Sequence, residues 1–226
     1  MIQLFRDRND VNVQRDRTGH DVWQATSVHP VHRSIVAVDI EGSTRRTNPV
    51  KARLRQLLYG MLEKALDCSD ITGAYVDPII DRGDGALILI KPADHLPKTL
   101  LLNNLIPSLH HMLGRHNTGN SDQAFRLRAA VHSGEVHYDA RGIFGEAVDI
   151  ACRLLDSHEL KEITRSSSAP LTLGISDDLY HAVVKHGYFG IQAEEFTDAV
   201  RLEIGDQIHR GWVLRPAIPA FIPAAS

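Results

Sequence analysis

The sequence has little cysteine, no basic excess and no long apolar run. Its two cysteines, Cys68 and Cys152, stand alone and far apart. That excludes a disulfide framework and the paired spacing of a zinc site. The formal net charge is −3. A sequence-independent nucleic-acid binder carries a basic excess, so no nucleic-acid partner is expected; a single nucleotide needs only a few local cations. No apolar stretch approaches the ~20 residues of a membrane helix, and the first residues, MIQLFRDRND, hold no apolar signal segment. The expectation is a cytoplasmic protein with no membrane partner. Histidines number 13, but they scatter. His29 and His32, His110 with His111, and His132 with His137 are the close groupings, and none has a second ligand cluster at metal-site spacing.

What is present suits one large domain. The chain has 226 residues, 43% hydrophobic and 23% charged, a normal globular balance. Residues 1–30 mix charges of both signs and read as an irregular arm. Residues 31–216 form the domain, and 217–226 a Pro-rich tail. Ser34 to Val38 is a β-branched run ending on Asp39, the pattern of a buried strand. Pro49 and Val50 open a helix whose apolar face is Val50, Leu54, Leu57, Leu58, Met61, Leu62, Ala65 and Leu66. Tyr75 to Ile80 reads as a strand, Asp81 to Gly85 as a tight turn with φ > 0 at Gly83 and Gly85, and Ala86 to Ile90 as the returning strand. A second helix is expected over Lys98 to Arg115. Phe125 to His132 is a strand interrupted at Ser133-Gly134. A helix ends the stretch 142–156, and Arg165 to Ala169 is a Ser-rich loop. Leu171 to Ile175 is a strand, Ser176 caps a helix over Asp177 to Lys185, and Val200 to Ile204 and Trp212 to Leu214 are final strands.

The order β-α-β-β-α-β over 34–132 gives an α+β, ferredoxin-like core with C-terminal αβ extensions. Such a core sets the end of its first strand beside the turn between its second and third, and so sets Asp39 near Asp84. Two carboxylates there suit a hard divalent cation, Mg²⁺ or Mn²⁺, bound with a nucleoside triphosphate. The loop after Asp39 carries Gly42, Ser43, Thr44 and Arg45, and can aim N–H groups at phosphate oxygens. Each feature also has a plain reading: an Asp at a strand end is a common turn former, and RGDG is a common hairpin turn.

DIEGST and RGDGALILI resemble the two metal motifs of class III nucleotidyl cyclases. LRAAVHSGEVHYD resembles that family's GIHTGEV strand, and GIFGEAVDIACRL its dimer-interface helix. The resemblance spans about residues 34–185, weakens to 215, and has four motifs in order. It implies a class III cyclase homology domain acting as a homodimer with shared active sites. It assigns Asp39, Ile40 and Asp84 to two divalent cations, Arg153 of the second subunit to transition-state charge, and Asp149 to the position of the family's substrate-facing asparagine. An arginine late in a helix also simply offsets the dipole.

The departures bear on the base. Ile80 stands where the adenine-reading lysine would be, and Gly142 where its acidic partner would be. Arg201 and Arg210 are the candidates left for the triphosphate-binding lysine. Loss of both purine-reading side chains resembles the stand-alone pyrimidine cyclases of bacterial Pycsar antiphage systems, which implies a cyclic UMP or cyclic CMP product and a separate cyclic-nucleotide effector. Tyr59 and Arg141 are candidates to fill the space beside a smaller base, although simple helix packing is the commoner role for a residue placed like Tyr59. A donor such as Arg141 would suit uracil O4, which favours UTP over CTP. An adenylyl or guanylyl cyclase with unusual base contacts, and a non-catalytic nucleotide-binding module, are the alternatives.

Overall fold

In the computed structural model, which describes residues 12–15, 21–24 and 29–214, the β-branched run becomes the central strand of a large sheet. Two short strands, β1 (Asn12–Arg15) and β2 (Asp21–Gln24), pair antiparallel within the segment read as an irregular arm. The rest of that arm and the Pro-rich tail lie outside the described residues. The domain then runs β3 (Val31–Ile40), α1 (Asn48–Asp67), β4 (Ile80–Asp81), β5 (Gly85–Ile90), α2 (Ile106–Gly119), β6 (Leu127–Asp139), β7 (Gly142–Phe144), α3 (Glu146–Asp156), α4 (His158–Ser166), β8 (Leu171–Ser176), α5 (Asp177–Ala182), β9 (Phe196–Ile204) and β10 (Gln207–Leu214).

The sheet has the order β4-β5-β3-β6-β8-β10-β9, with β7 paired to β6. β6 and β8 run parallel, and the other pairings are antiparallel. The four core strands alone, β4-β5-β3-β6, have the expected ferredoxin-like order. Because side chains alternate along a strand, β3 serves two cores. Val36, Val38 and Ile40 pack toward Leu54, Leu58 and Leu62 of α1 and Leu109 and Leu113 of α2. Ile35 and Ala37 face Ala147, Ala151 and Leu154 of α3.

Several elements differ from the sequence reading, each for a local reason. Tyr75 to Ile80 is not a continuous strand: Pro78 has no N–H for a ladder, and only a Val76–Ile90 bridge and β4 remain. The second helix begins as a π turn at Leu101–Leu105 and runs to Gly119. Pro107, just after that turn, lacks the N–H that an unbroken α-helix requires. β6 passes through Ser133-Gly134 without a break. Gly134 is there to let α3 approach: a Cβ on it would lie 2.8 Å from Ala147 Cβ. The helix α4 was not anticipated; Ser157 caps it by accepting the Leu160 N–H at 3.3 Å. The helix after Ser176 ends at Ala182 and gives way to a short 3-10 turn at Val184–His186.

Candidate active site

Backbone pairing brings the two candidate carboxylates to one end of the sheet. Asp39 lies opposite Gly85 in the β3–β5 register. The next N–H, that of Ile40, donates to the Asp84 carbonyl at 3.0 Å. Gly83 takes φ +81° to turn the hairpin, as expected, but Gly85 does not. Gly85 is needed for space, because a Cβ there would sit 2.2 Å from the Val38 carbonyl oxygen.

Beside this strand end is a cleft of about 440 Å³ between α1 and the β4–β5 turn. Ile40, Ser43 and Leu54 lie along it, with Lys51, Arg55 and Arg82 against Asp81 and Asp84. Ser43 donates its hydroxyl to the Asp84 carboxylate. Gly42, at φ +66°, turns the chain into a short 3-10 segment, Ser43–Arg45. Thr44 also lines the cleft, whereas Arg45 is exposed outside the lining. The turn uses the N–H groups of Arg45 and Arg46 for its own bonds, to Gly42 O at 3.2 Å and Ser43 O at 3.0 Å. Those two N–H groups are therefore engaged within the loop rather than presented to a ligand.

Asp39 does not line the cleft. It alternates with Val38 and Ile40, and so points to the α3 side of the sheet, where Arg128 of β6 sits directly across. The Arg128 guanidinium grips both carboxylate oxygens, Nε to Oδ1 at 2.9 Å and a second N–H to Oδ2. Burial pushes the Asp39 carboxyl up; Arg128 opposes this, and the like charges of Asp84 and Asp156 add to the rise. Arg128 was missed in the sequence. The signal was the alternation D-I-E in β3 and beyond against R-L-R in 126–128, which an antiparallel ladder turns into facing pairs. Asp39 faces Arg128, and Arg126 lies 3.5 Å from Glu41. Lys51 and Arg55 were also missed. They stand one helical turn apart on the cleft side of α1, and their i, i+4 spacing off the apolar face was the signal. Arg55 holds Asp81 through two N–H groups at 2.7 and 2.8 Å and also reaches the Gly83 carbonyl. This drives the Asp81 carboxyl well below the usual carboxylate range and fixes the turn that carries Asp84.

The remaining candidates do not line this cleft in their own chain. Tyr59 packs against the α1-side core with the Arg55 guanidinium 5.6 Å from its ring centre. Ile80 packs against the α3-side core. Arg141 and Gly142 form the β6–β7 turn, where both N–H groups bond to Asp139 Oδ1 at 2.7 and 3.0 Å. At ~3.3 Å per residue, that turn lies about 35 Å along β6 from Arg128. Asp149 and Arg153 are exposed on α3. Arg153 turns toward β9, 3.4 Å from the Glu203 carbonyl. Arg201 and Arg210 both pair with Asp198 on the β9–β10 hairpin, away from the cleft.

The donor set fits a hard cation: two carboxylates and the Ile40 carbonyl, the one ligand an isoleucine can offer, are all oxygens. The rise in the Asp39 carboxyl is also what a nearby cation would relieve. Among the described residues no cluster of three or more His, Cys, Asp or Glu side chains is placed to hold a metal, so protein carboxylates alone do not close a coordination shell.

No protein-family model and no curated protein sequence matches the chain. Solved structures do match. One is an adenylate/guanylate cyclase/hydrolase from Silicibacter pomeroyi, at 18% identity and TM-score 0.60, covering 84% of this chain and 99% of that one. Another is the adenylyl cyclase CyaB from P. aeruginosa, at 13% identity and TM-score 0.57, covering 84% and 97%. A third is the guanylate cyclase domain of RhGC from Catenaria anguillulae in complex with GTP, at 15% and 0.53, covering 83% and 98%. The fold is that of the class III cyclase homology domain. Among the described residues no helix is long and apolar enough to cross a membrane.

Proposed function

We propose that this chain is a metal-dependent nucleotide cyclase that converts a pyrimidine nucleoside triphosphate, UTP in preference to CTP, to its 3′,5′-cyclic nucleotide and pyrophosphate. The observation that carries the reading is the placing of Asp84 and Asp39 on adjoining strand ends beside a cleft whose α1 wall bears Lys51 and Arg55. Asp39, Asp84 and the Ile40 carbonyl would hold two divalent cations, Mg²⁺ or Mn²⁺. When bound, such ions neutralise the triphosphate and assist loss of the 3′-hydroxyl proton. Ser43, Thr44 and Lys51 bind and orient the phosphates. The ribose 3′-oxygen forms its bond to the α-phosphorus as the bond to the β-phosphate oxygen breaks.

Arg153 supports a shared-site homodimer. It lies outside the cleft of its own chain, on an exposed helix face, where a second copy could receive it and have the developing phosphate charge stabilised. Arg141 and Gly142 are likewise too far from their own cleft to meet a base there, and would act across the same interface. The pyrimidine preference rests on Ile80, whose partly buried side chain packs against the α3-side core and has no hydrogen-bonding group to read a purine edge. A second messenger of this kind requires a separate cyclic-nucleotide effector, in keeping with a role in antiphage defence.

The test is incubation of the purified protein with Mn²⁺ and each of the four ribonucleoside triphosphates, with product identified by mass. Cyclic UMP as the main product is expected. Cyclic AMP or cyclic GMP as the main product sinks the pyrimidine claim and returns the reading to a purine cyclase, the activity named for the structural neighbours. No cyclic product and no pyrophosphate from any of the four sinks the enzyme reading and leaves a nucleotide-binding module.

A further inference from the structure

Asp39 already has a counter-ion within its own chain. Arg128 occupies both of its oxygens with a forked pair of hydrogen bonds, and the two side chains are only 12% and 13% exposed. A cation shared with Asp84 would have to share at least one of those oxygens with the guanidinium, and two positive charges on one oxygen repel. Asp84 lines the cleft and Asp39 does not; strand alternation sets Asp39 on the α3 side, and the fork holds its carboxylate there.

The surrounding charges make this pairing specific. Three carboxylates act on Arg128: Asp39 first, then Asp156 and Glu41. The other two have cations of their own, with Arg126 3.5 Å from Glu41 and Lys161 3.1 Å from Asp156. Asp39 has Arg128. A half-buried carboxylate left without a counter-ion is costly, so the arginine stabilises the metal-free protein. Once displaced, the guanidinium still has Glu41 and Asp156 as neighbouring acids and need not be stranded.

We propose that Arg128 is a resident counter-ion that holds Asp39 in the metal-free protein and is displaced when a divalent cation binds, so that this arginine sets the affinity of the site for metal. The inference rests on the reading that Asp39 and Asp84 hold such a cation. It makes Arg128 a positioning residue, acting through Asp39.

The test is direct Mn²⁺ binding to the full chain without nucleotide, followed by electron paramagnetic resonance of the free ion. Thermal unfolding with and without Mn²⁺ runs alongside. The variants are Arg128→Lys, Arg128→Gln and Asp39→Asn. Lysine keeps the charge but cannot fork across both oxygens, so it separates the latch from simple repulsion. Both Arg128 variants are expected to bind Mn²⁺ on the order of tenfold more tightly than the unaltered protein. They should melt lower without metal and gain more in melting temperature when Mn²⁺ is added. Asp39→Asn should lose binding. A folded Arg128→Lys protein with unaltered Mn²⁺ affinity overturns the proposal, while the loss of binding in Asp39→Asn keeps the metal site itself. If neither the unaltered chain nor either Arg128 variant binds Mn²⁺, the metal reading falls and takes this inference with it.

Discussion

Arg33 donates its Nε–H to Asp77 at 2.7 Å in surroundings that leave the two side chains only 5% and 2% exposed. The Tyr138 hydroxyl donates to the same Asp77 oxygen at 2.5 Å, and Lys91 lies 3.9 Å from the other. Asp77 sits opposite Leu89, near the end of β5 remote from Asp84. The network is therefore a matter of stability rather than of the cleft. Removing one member of a buried pair strands its partner's charge, a cost of about 3–5 kcal/mol. Asp77→Ala is expected to lose that much in urea unfolding. Asp77→Leu combined with Arg33→Met should recover most of it. A loss below ~1 kcal/mol for the single variant would mean that Arg33 finds water on its own.

The two glycines of the Asp84 turn fail for different reasons when replaced. At Gly83 there is open space for a Cβ, but φ is +81°. At Gly85 the conformation is ordinary, but a Cβ would press on the Val38 carbonyl oxygen and the Asp39 backbone. Gly83→Ala should cost about 1 kcal/mol. Gly85→Ala should cost about 2–3 kcal/mol, because a strand backbone cannot step aside as a side chain can. It should also weaken Mn²⁺ binding, since the contact is with the residue that carries the Asp39 carboxylate. Equal melting losses for the two variants would refute the distinction.

Much of the fold was legible because strand and helix periods are local. Val36, Val38 and Ile40 alternate, and Leu54, Leu58 and Leu62 recur one turn apart; no distant residue is needed to read either. The order of elements then placed Asp39 beside Asp84. What was not legible depends on partners far along the chain. Arg128 lies 89 residues from Asp39, and nothing local to either residue declares the pair. The same holds for Gly134, which together with Ser133 suggested a break. Its small size serves Ala147 on α3, and the strand continues. Pro78 and Pro107 were visible in the sequence, and their missing N–H groups should have shortened the strand and disturbed the helix start in the reading.

His132 lies on β6 within the sheet, 3% exposed, with Nδ1 2.7 Å from the Ser176 hydroxyl. Burial pushes its imidazole down to about 4; Asp178 opposes this, and Lys98, His209 and His32 add to it. An unfolded histidine takes up its proton near pH 6.5. Between those two values the unfolded chain gains a proton that the folded chain refuses. Stability therefore falls as pH drops through that window, by about 2–3 kcal/mol for a shift of this size. His132→Gln removes the titration. It should flatten the difference between urea unfolding free energies measured at pH 7.5 and pH 5. If the unaltered protein and the variant lose stability in parallel over that range, His132 is not the group responsible.

The shared-site reading makes a demand on subunits that a monomeric site would not. On α3, Cys152 meets Arg82 of the β4–β5 turn, and Asp156 acts electrostatically on Asp39. That side of the helix faces the β4–β5 turn and Asp39 of its own chain. Arg153 takes the other side, toward Glu203 of β9. Asp39→Ala should lack the metal half of each site, and Arg153→Ala the arginine half. Each alone should be inactive while keeping an unaltered circular dichroism spectrum. In a dimer of one with the other, one site carries both defects and the opposite site carries neither. Random pairing of equal amounts makes half the dimers mixed, and each has one intact site, so about a quarter of the unaltered activity should return. Mixing either variant with itself returns nothing, which controls for concentration. If dimers exchange, as mass measurement of tagged chains would establish, and no activity returns, then Arg153 serves its own chain or none.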